Sequence, residues 1–271
     1  MKKMILIIII KNIPKKKIFT FWEPKEKIPG YLQLCIKTWK KFLNDYEIII
    51  LDYKKVKEIL GERLFNDIIC KNMTLPIQAD AIRVAVLNKF GGIWMDADTI
   101  IVNKEFLKGL DNFELAMLGD KTILHIGFIF ASKKSIIIIK WLNEIINRVK
   151  NYKKISKRHK NKLTWNYLGN GIIDKIIINI TSNRFLRLNK FKMNAFPELS
   201  FFGNTSLNII EKYRLFYFQK RNPKILLENV KGIIMLHNSW TPTKYKKMSE
   251  KKFLKQDILI SRLLYQILYI N

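Results

Sequence analysis

Two short apolar runs rich in β-branched and aromatic residues, 18–22 and 46–51, flank a stretch with a different period. Between them Leu32, Cys35, Ile36, Trp39 and Leu43 recur at intervals of three and four, the mark of one helix face. The runs themselves read as strands, the first ended by Glu23-Pro24. A strand, a helix and a strand in about 35 residues open a parallel sheet, because parallel strands need a crossover long enough to hold a helix. The expected class is therefore α/β.

The pattern continues downstream. A helix is expected over 54–60, and a longer one from Thr74, which can act as N-cap with Pro76 in the first turn. Ile77, Ala81, Val84, Ala85 and Leu87 give the second helix its apolar face, and Gly91-Gly92 ends it. Ile93-Trp94-Met95 then forms a short strand with Asp96 and Asp98 at its carboxyl end, where open α/β sheets gather ligands. Residues 122–131, 186–193, 215–218 and 232–237 read as further strands and 135–149 as a helix. Residues 150–164 hold eight basic side chains, His159 included, and read as a mobile loop. One domain over 1–240 and a basic, amphipathic helical tail over 241–271 complete the expected organisation.

The chain has 271 residues, 48% of them hydrophobic, enough for a sizeable core. Its 50 Lys+Arg against 22 Asp+Glu give a formal charge of +28. The lysines are spread along the chain, which argues against the basic stripe of a specific nucleic-acid binder. Contact with anionic lipid, or a general over-use of Lys, Ile and Asn, both account for them. Cys35 and Cys70 have neither CxxC nor metal spacing and read as reduced, buried thiols of a cytoplasmic protein. The apolar run at residues 4–10 is far shorter than the roughly 18 residues of a membrane span. It is followed by Lys11-Asn12-Ile13-Pro14 rather than a small-residue cleavage site, so it reads as a buried strand or hydrophobic lead-in.

Chemistry centres on Asp96-Ala97-Asp98. In extended chain, residues two apart point to one side, so both carboxylates would face one point. Such a pair, with no adjacent basic partner, invites a divalent cation bridged by diphosphate oxygens, with magnesium or manganese suited to the oxygen ligands. Upstream, Asp80 and Arg83 lie three apart on one helix face. They are either a surface ion pair or a working set, Asp80 bonding a nucleotide and Arg83 neutralising diphosphate or orienting a carboxylate.

Residues 78–83 (Gln-Ala-Asp-Ala-Ile-Arg), Leu87 and residues 90–98 (Phe-Gly-Gly-Ile-Trp-Met-Asp-Ala-Asp) resemble a family signature, SDxxRxxxLxxxGGIYxDxD. It belongs to glycosyltransferases with the DXD sugar-binding motif, and more narrowly to the family 32 and capsular-polysaccharide-synthesis group. Residues 13–22 (Ile-Pro-Lys-Lys-Lys-Ile-Phe-Thr-Phe-Trp) are similar to that group's IPKxIxxxW opening, with one extra lysine, and Ser239-Trp240 to its late SW. Ala79 stands where the group usually has Ser, which removes a hydroxyl there.

The resemblance implies a GT-A type, Rossmann-like domain with a mixed, mainly parallel sheet and a C-terminal helical extension. It also implies retaining transfer from a nucleoside diphosphate sugar, UDP-linked, with Mn²⁺ or Mg²⁺. On this likeness Asp98 binds the metal directly, and Asp96 contacts the ribose or sugar and the metal shell. Trp22 stacks on the nucleobase. His237 is either a structural histidine or a further metal ligand, and Ser239 and Trp240 close over the diphosphate. His125 and Asn170-Gly171 are weaker candidates for the sugar or acceptor side. The acceptor would be a glycan or a lipid-linked glycan of capsule or lipopolysaccharide synthesis. The tail would then either dock on the inner face of the membrane or cap the core. A metal-dependent nucleotidyltransferase or phosphoesterase is the rival enzyme reading, and a non-catalytic basic binding protein the rival outside enzymes.

Overall fold

Strand β1 (Lys16–Phe21) is the hub of the sheet. The chain is seen here in a computed structural model describing residues 16–120, 123–156, 163–180 and 183–270. The apolar run 4–10, residues 13–15 of the opening motif and His159 lie outside the described residues. Parallel to β1 on one side is β2 (Tyr46–Leu51), Ile18 opposite Ile48, and on the other β3 (Gly92–Met95), Ile18 opposite Ile93. Helix α1 (Gly30–Phe42) makes the crossover between β1 and β2. Short helices α2 (Tyr53–Leu60) and α3 (Glu62–Ile68), then the long α4 (Leu75–Phe90), make the next.

A two-stranded antiparallel pair follows, formed much later in the chain: β4 (Thr99–Ile101) with β8 (Ile233–Met235). In the main sheet β5 (Leu115–Gly119) and β7 (Phe185–Asn189) are parallel to each other, and β6 (Leu124–Ala131) runs against both β3 and β5. The order β2-β1-β3-β6-β5-β7, with one strand reversed, is a mixed, mainly parallel sheet of an α/β fold.

Period-two alternation sorts the side chains of the central strands into two cores. Ile18, Ile93 and Met95 join α1 on one face, whereas Phe19, Phe21 and Trp94 join α4 and α5 (Ile136–Ser156) on the other. Helix α4 is buried on nearly all sides, so Asp80 and Arg83 lie in the interior with it. Past α6 (Asn170–Ile177) and β7, the helices α7 (Pro197–Phe202), α8 (Ile209–Tyr217) and α9 (Lys224–Asn229) lead to β8.

The chain finishes in α10 (Thr243–Lys246), α11 (Glu250–Leu254), α12 (Leu259–Tyr265) and one π turn. Phe253, Leu259, Ile260, Leu263 and Leu264 from this tail are fully buried in the same core as Trp39 of α1. Two sequence expectations fail here. Residues 215–217 are helical rather than strand, with Phe218 as the C-cap: Tyr213, Phe216 and Tyr217 form one buried face, and Asn208 with Glu211 closes a capping box at the start of α8. A four-residue apolar run has too little length to separate the two periods. The expected loop at 150–164 is helical through Ser156, with Tyr152 buried and its hydroxyl donating to the Asn72 carbonyl at 3.5 Å.

Candidate functional site

Strand β3 delivers Asp96 to the carboxyl edge of the sheet, and the chain turns there. The Thr99 amide donates to the Asp96 carbonyl at 3.0 Å, so residues 96–98 form a turn between β3 and β4. This corrects the expectation of an extended triplet, and the two carboxylates are held by different partners. Asp96 Oδ1 accepts from Trp94 Nε1 at 2.8 Å and lies 3.4 Å from Arg83 Nη2. Asp98 Oδ2 accepts from the Asn238 amide at 2.7 Å, and Leu236 N donates to the Asp98 carbonyl at 3.1 Å. The pairing of β4 with β8 brings residues 236–238 there.

Arg83 ties helix, strand and triplet together. Its Nη2 is 3.0 Å from Asp80 Oδ1, its Nη1 donates to the Ile126 carbonyl, and the guanidinium lies 5.2 Å from the Trp94 ring centroid. Both members of the Asp80–Arg83 pair are buried, so it is no surface ion pair. Burial pushes the Asp80 carboxyl up to about 7 against the pull of Arg83. Arg83 Nε is buried with no hydrogen-bond partner among the described residues. Burial and the neighbouring Asp96 raise the Asp98 carboxyl to about 7. Two carboxylates thus crowd one corner while the nearest guanidinium serves Asp80 and Asp96.

A cavity of about 250 Å³ opens on this corner, its walls including Trp22, Glu23, Ala79, Arg83, both aspartates and Asn238. A larger one, about 450 Å³, lies at the amino ends of β1 and β3. Its single acid, Asp111, is already paired with Lys16 at 2.5 Å, so the smaller cavity holds the carboxylate chemistry.

Trp22, Arg83, Asp96 and Asp98 therefore line one space, as the sequence reading grouped them. Asp80 does not line it, standing behind Arg83 with its other oxygen toward Gly169, where a Cβ would come within 2.6 Å. His237 stacks with Phe196, centroids 5.7 Å apart, and His125 is 6.1 Å from His237. Burial lowers both imidazoles, His125 to about 4 and His237 to about 3, so both are neutral at physiological pH. Trp240 packs on His237 at 3.7 Å and Ser239 is exposed; neither lines the cavity. Asn170 is buried and donates to the Leu124 carbonyl at 2.8 Å. Among the described residues, no group of three or more His, Cys, Asp or Glu side chains is arranged to hold a metal ion.

Two polar wall residues were missed in the sequence. Asn238 stands directly before the Ser239-Trp240 pair, but its amide, not its side chain, meets Asp98, and an amide carries no sequence signal. Its side chain accepts from Tyr31 OH at 2.6 Å. Glu23 reads as a strand terminator, yet it lines the cavity and accepts from the Tyr53 amide at 2.8 Å.

Among solved structures the chain is similar to the apo-form glycosyltransferase GlyE of Streptococcus pneumoniae TIGR4. Identity is 14% and the TM-score 0.46, over 95% of this chain and 61% of that one. The chain thus spans about three fifths of the GlyE length. It is also similar to a glycosyltransferase involved in glycosylation of the major capsid of PBCV-1, at 11% identity and TM-score 0.43, over 86% and 98% of the two chains. A third likeness is to the PaToxG glycosyltransferase, at 17% identity and TM-score 0.39, covering 94% and 86%. No curated protein matches the sequence. The family model described as capsular polysaccharide synthesis protein matches residues 10–254, a span that takes in β1, the triplet and the β8 turn that grips Asp98. With nearly the whole chain and the whole candidate site inside that match, the chain belongs to the capsular polysaccharide synthesis protein family.

Proposed function

We propose that this chain is a metal-dependent glycosyltransferase that moves a sugar from a nucleoside diphosphate sugar to a glycan or lipid-linked acceptor in surface polysaccharide synthesis. One observation carries the reading: Asp96 and Asp98 share a cavity with an arginine and an indole at the carboxyl edge of the sheet. That set suits a base, a diphosphate and a cation, in line with the family. Two features favour a divalent cation there. Asp98 is destabilised as an anion by burial and by Asp96, and no lysine or arginine pairs with it among the described residues. A cation bound at Asp98, Mn²⁺ or Mg²⁺, would supply Lewis-acid stabilisation of the departing diphosphate.

The chain's own groups supply the rest. Trp22 offers a face for the nucleobase. Arg83 is pre-oriented by Asp80 and the Ile126 carbonyl, so it meets phosphate charge without reorganising. Asp96 lines the cavity beside Arg83, placed to bond ribose or sugar hydroxyls. The UDP donor and retention of configuration extend this reading from the family resemblance. His237, half-buried and neutral, keeps the lone pair a metal ligand needs, although it does not line the cavity itself.

The test is a nucleotide-sugar screen with and without manganese, following release of nucleoside diphosphate. Asp98→Asn is expected to lower turnover by at least about 100-fold. If Asp96→Asn and Asp98→Asn both keep metal-dependent donor hydrolysis, the assignment fails. Release of monophosphate or pyrophosphate would instead identify a nucleotidyltransferase or phosphoesterase.

A further inference from the structure

The basic tail is not the surface best suited to a membrane, because Phe253, Leu259, Ile260, Leu263 and Leu264 are inside the core and its exposed large apolar side chains, Tyr265, Tyr269 and Ile270, are confined to its last turns. A different face carries exposed apolar side chains. Phe191 after β7, Phe201 of α7, Leu215 of α8 and Ile225 of α9 are all exposed, the first two by 55% and 44%. Phe191, Phe201 and Ile225 rim a shallow cavity of about 370 Å³. Arg221 joins Leu215 to this rim: it lies 4.6 Å from the Phe201 ring centroid and donates to the Leu215 carbonyl at 3.4 Å. Scattered apolar residues are ordinary on a surface, but a contiguous aromatic and aliphatic rim calls for a partner.

The charge around the rim selects that partner. The cavity lining holds one cation, Lys192, and no acid. Between residues 187 and 231, lysines and arginines outnumber acids nine to three, and two of the nine, Lys190 and Lys220, pair with Asp120 and Asp257 from outside that span. Of those three acids Glu198 is buried and Glu211 is engaged in the α8 cap. Apolar side chains that project beside cations fit the boundary of an anionic bilayer, rings among the upper acyl chains and cations at the headgroups.

We infer that the face formed by Phe191, α7, α8 and α9 docks on a membrane surface bearing anionic lipid. Phe196, immediately before α7, packs 5.0 Å from His125 and 5.7 Å from His237. Six-residue α7 is roughly 9 Å long, so a docked rim sets the site close to the bilayer. A lipid-linked acceptor would then reach it without leaving the membrane. The docking itself does not depend on the transfer reading, since it needs no donor.

The experiment is co-sedimentation of the full chain with vesicles of phosphatidylcholine alone or with about 30% phosphatidylglycerol, at low and high salt. Binding is expected only to the anionic vesicles and to weaken with salt. Phe191→Ser/Phe201→Ser and Lys192→Glu/Lys224→Glu should each weaken it by about tenfold or more, with unchanged thermal melts. Lys251→Glu/Lys255→Glu, on the exposed side of the tail, should retain at least half of it. A Phe201→Trp variant, conservative in packing, should have its new indole fluorescence quenched by brominated lipid. Failure of the unaltered chain to bind, rim variants that bind as tightly as it does, or a Phe201→Trp variant that brominated lipid leaves unquenched would each overturn the inference. So would a dimer in sedimentation velocity that Phe191→Ser/Phe201→Ser dissociates, because the rim would then serve a second copy.

Discussion

Arg83 shows why single residues of this site resist separate accounting. Its guanidinium meets Asp80, Asp96, the Ile126 carbonyl and the Trp94 ring from one buried position. Removing one partner of a buried ion pair leaves the other charge uncompensated, at a cost of roughly 3 kcal/mol or more. Asp80→Ala is accordingly expected to lower the unfolding free energy by roughly 3 kcal/mol, with Asp80→Asn losing less because it keeps the shape and a hydrogen-bonding oxygen. Urea denaturation of both variants checks this. Equal stability of Asp80→Ala and the unaltered chain would mean that Asp96 alone satisfies Arg83. The Asp80–Arg83 spacing was legible in the sequence; its burial was not, since i and i+3 residues share a face whether that face is wet or dry.

Among elements, the contact that most shapes the molecule is α1 against the tail. Gly30, first residue of α1, faces the backbone of residues 248–250: a Cβ there would lie 2.5 Å from Glu250 N and 2.6 Å from Met248 O. Backbone cannot yield as a side-chain tip does, so Gly30→Val should force the two segments apart. A loss of about 2 kcal/mol or more in unfolding free energy is expected, read as a lowered urea midpoint, and an unshifted midpoint would show that the tail accommodates the branch. In the sequence alone, Pro29-Gly30 reads as a turn, a local role. Its second role, letting a chain segment more than 200 residues away approach, leaves no trace nearby.

Across the whole molecule, buried carboxyls give stability a direction with pH. Glu198 is 1% exposed; one oxygen accepts from Tyr217 OH at 3.0 Å and the other has no partner among the described residues. Burial pushes its carboxyl from 4.5 up to about 7. The folded state therefore holds this proton more tightly than the unfolded chain. Its contribution is fully present below about 4.5 and is lost as pH rises through about 7. Glu198→Gln should remove that slope and be more stable than the unaltered chain at pH 8 by roughly 1–3 kcal/mol, with little difference at pH 4. Asp80 and Asp98, both raised to about 7, leave a residual slope of the same sign in the variant. Paired urea titrations at the two pH values decide it: a gap between the proteins that fails to widen with pH contradicts the assignment.

What the amino-acid order settled unaided was written within about twenty consecutive residues. Short β-branched and aromatic runs at 18–22 and 93–95, period 3.6 in 31–43 and 77–87, and the glycine stop at Gly91 named β1, α1, α4 and β3, and with them the α/β class. They also set Asp96 and Asp98 at a strand's carboxyl end. The folded chain alone decided how those acids are held. Asp98 is gripped by an amide 140 residues away, and the residue bearing that amide is itself tied to a tyrosine 207 residues off. Such partners are selected by which strands pair and which faces bury, here β4 with β8 and α1 with the tail. The free energy of those choices resides in contacts between distant segments, so local periodicity carries no record of them.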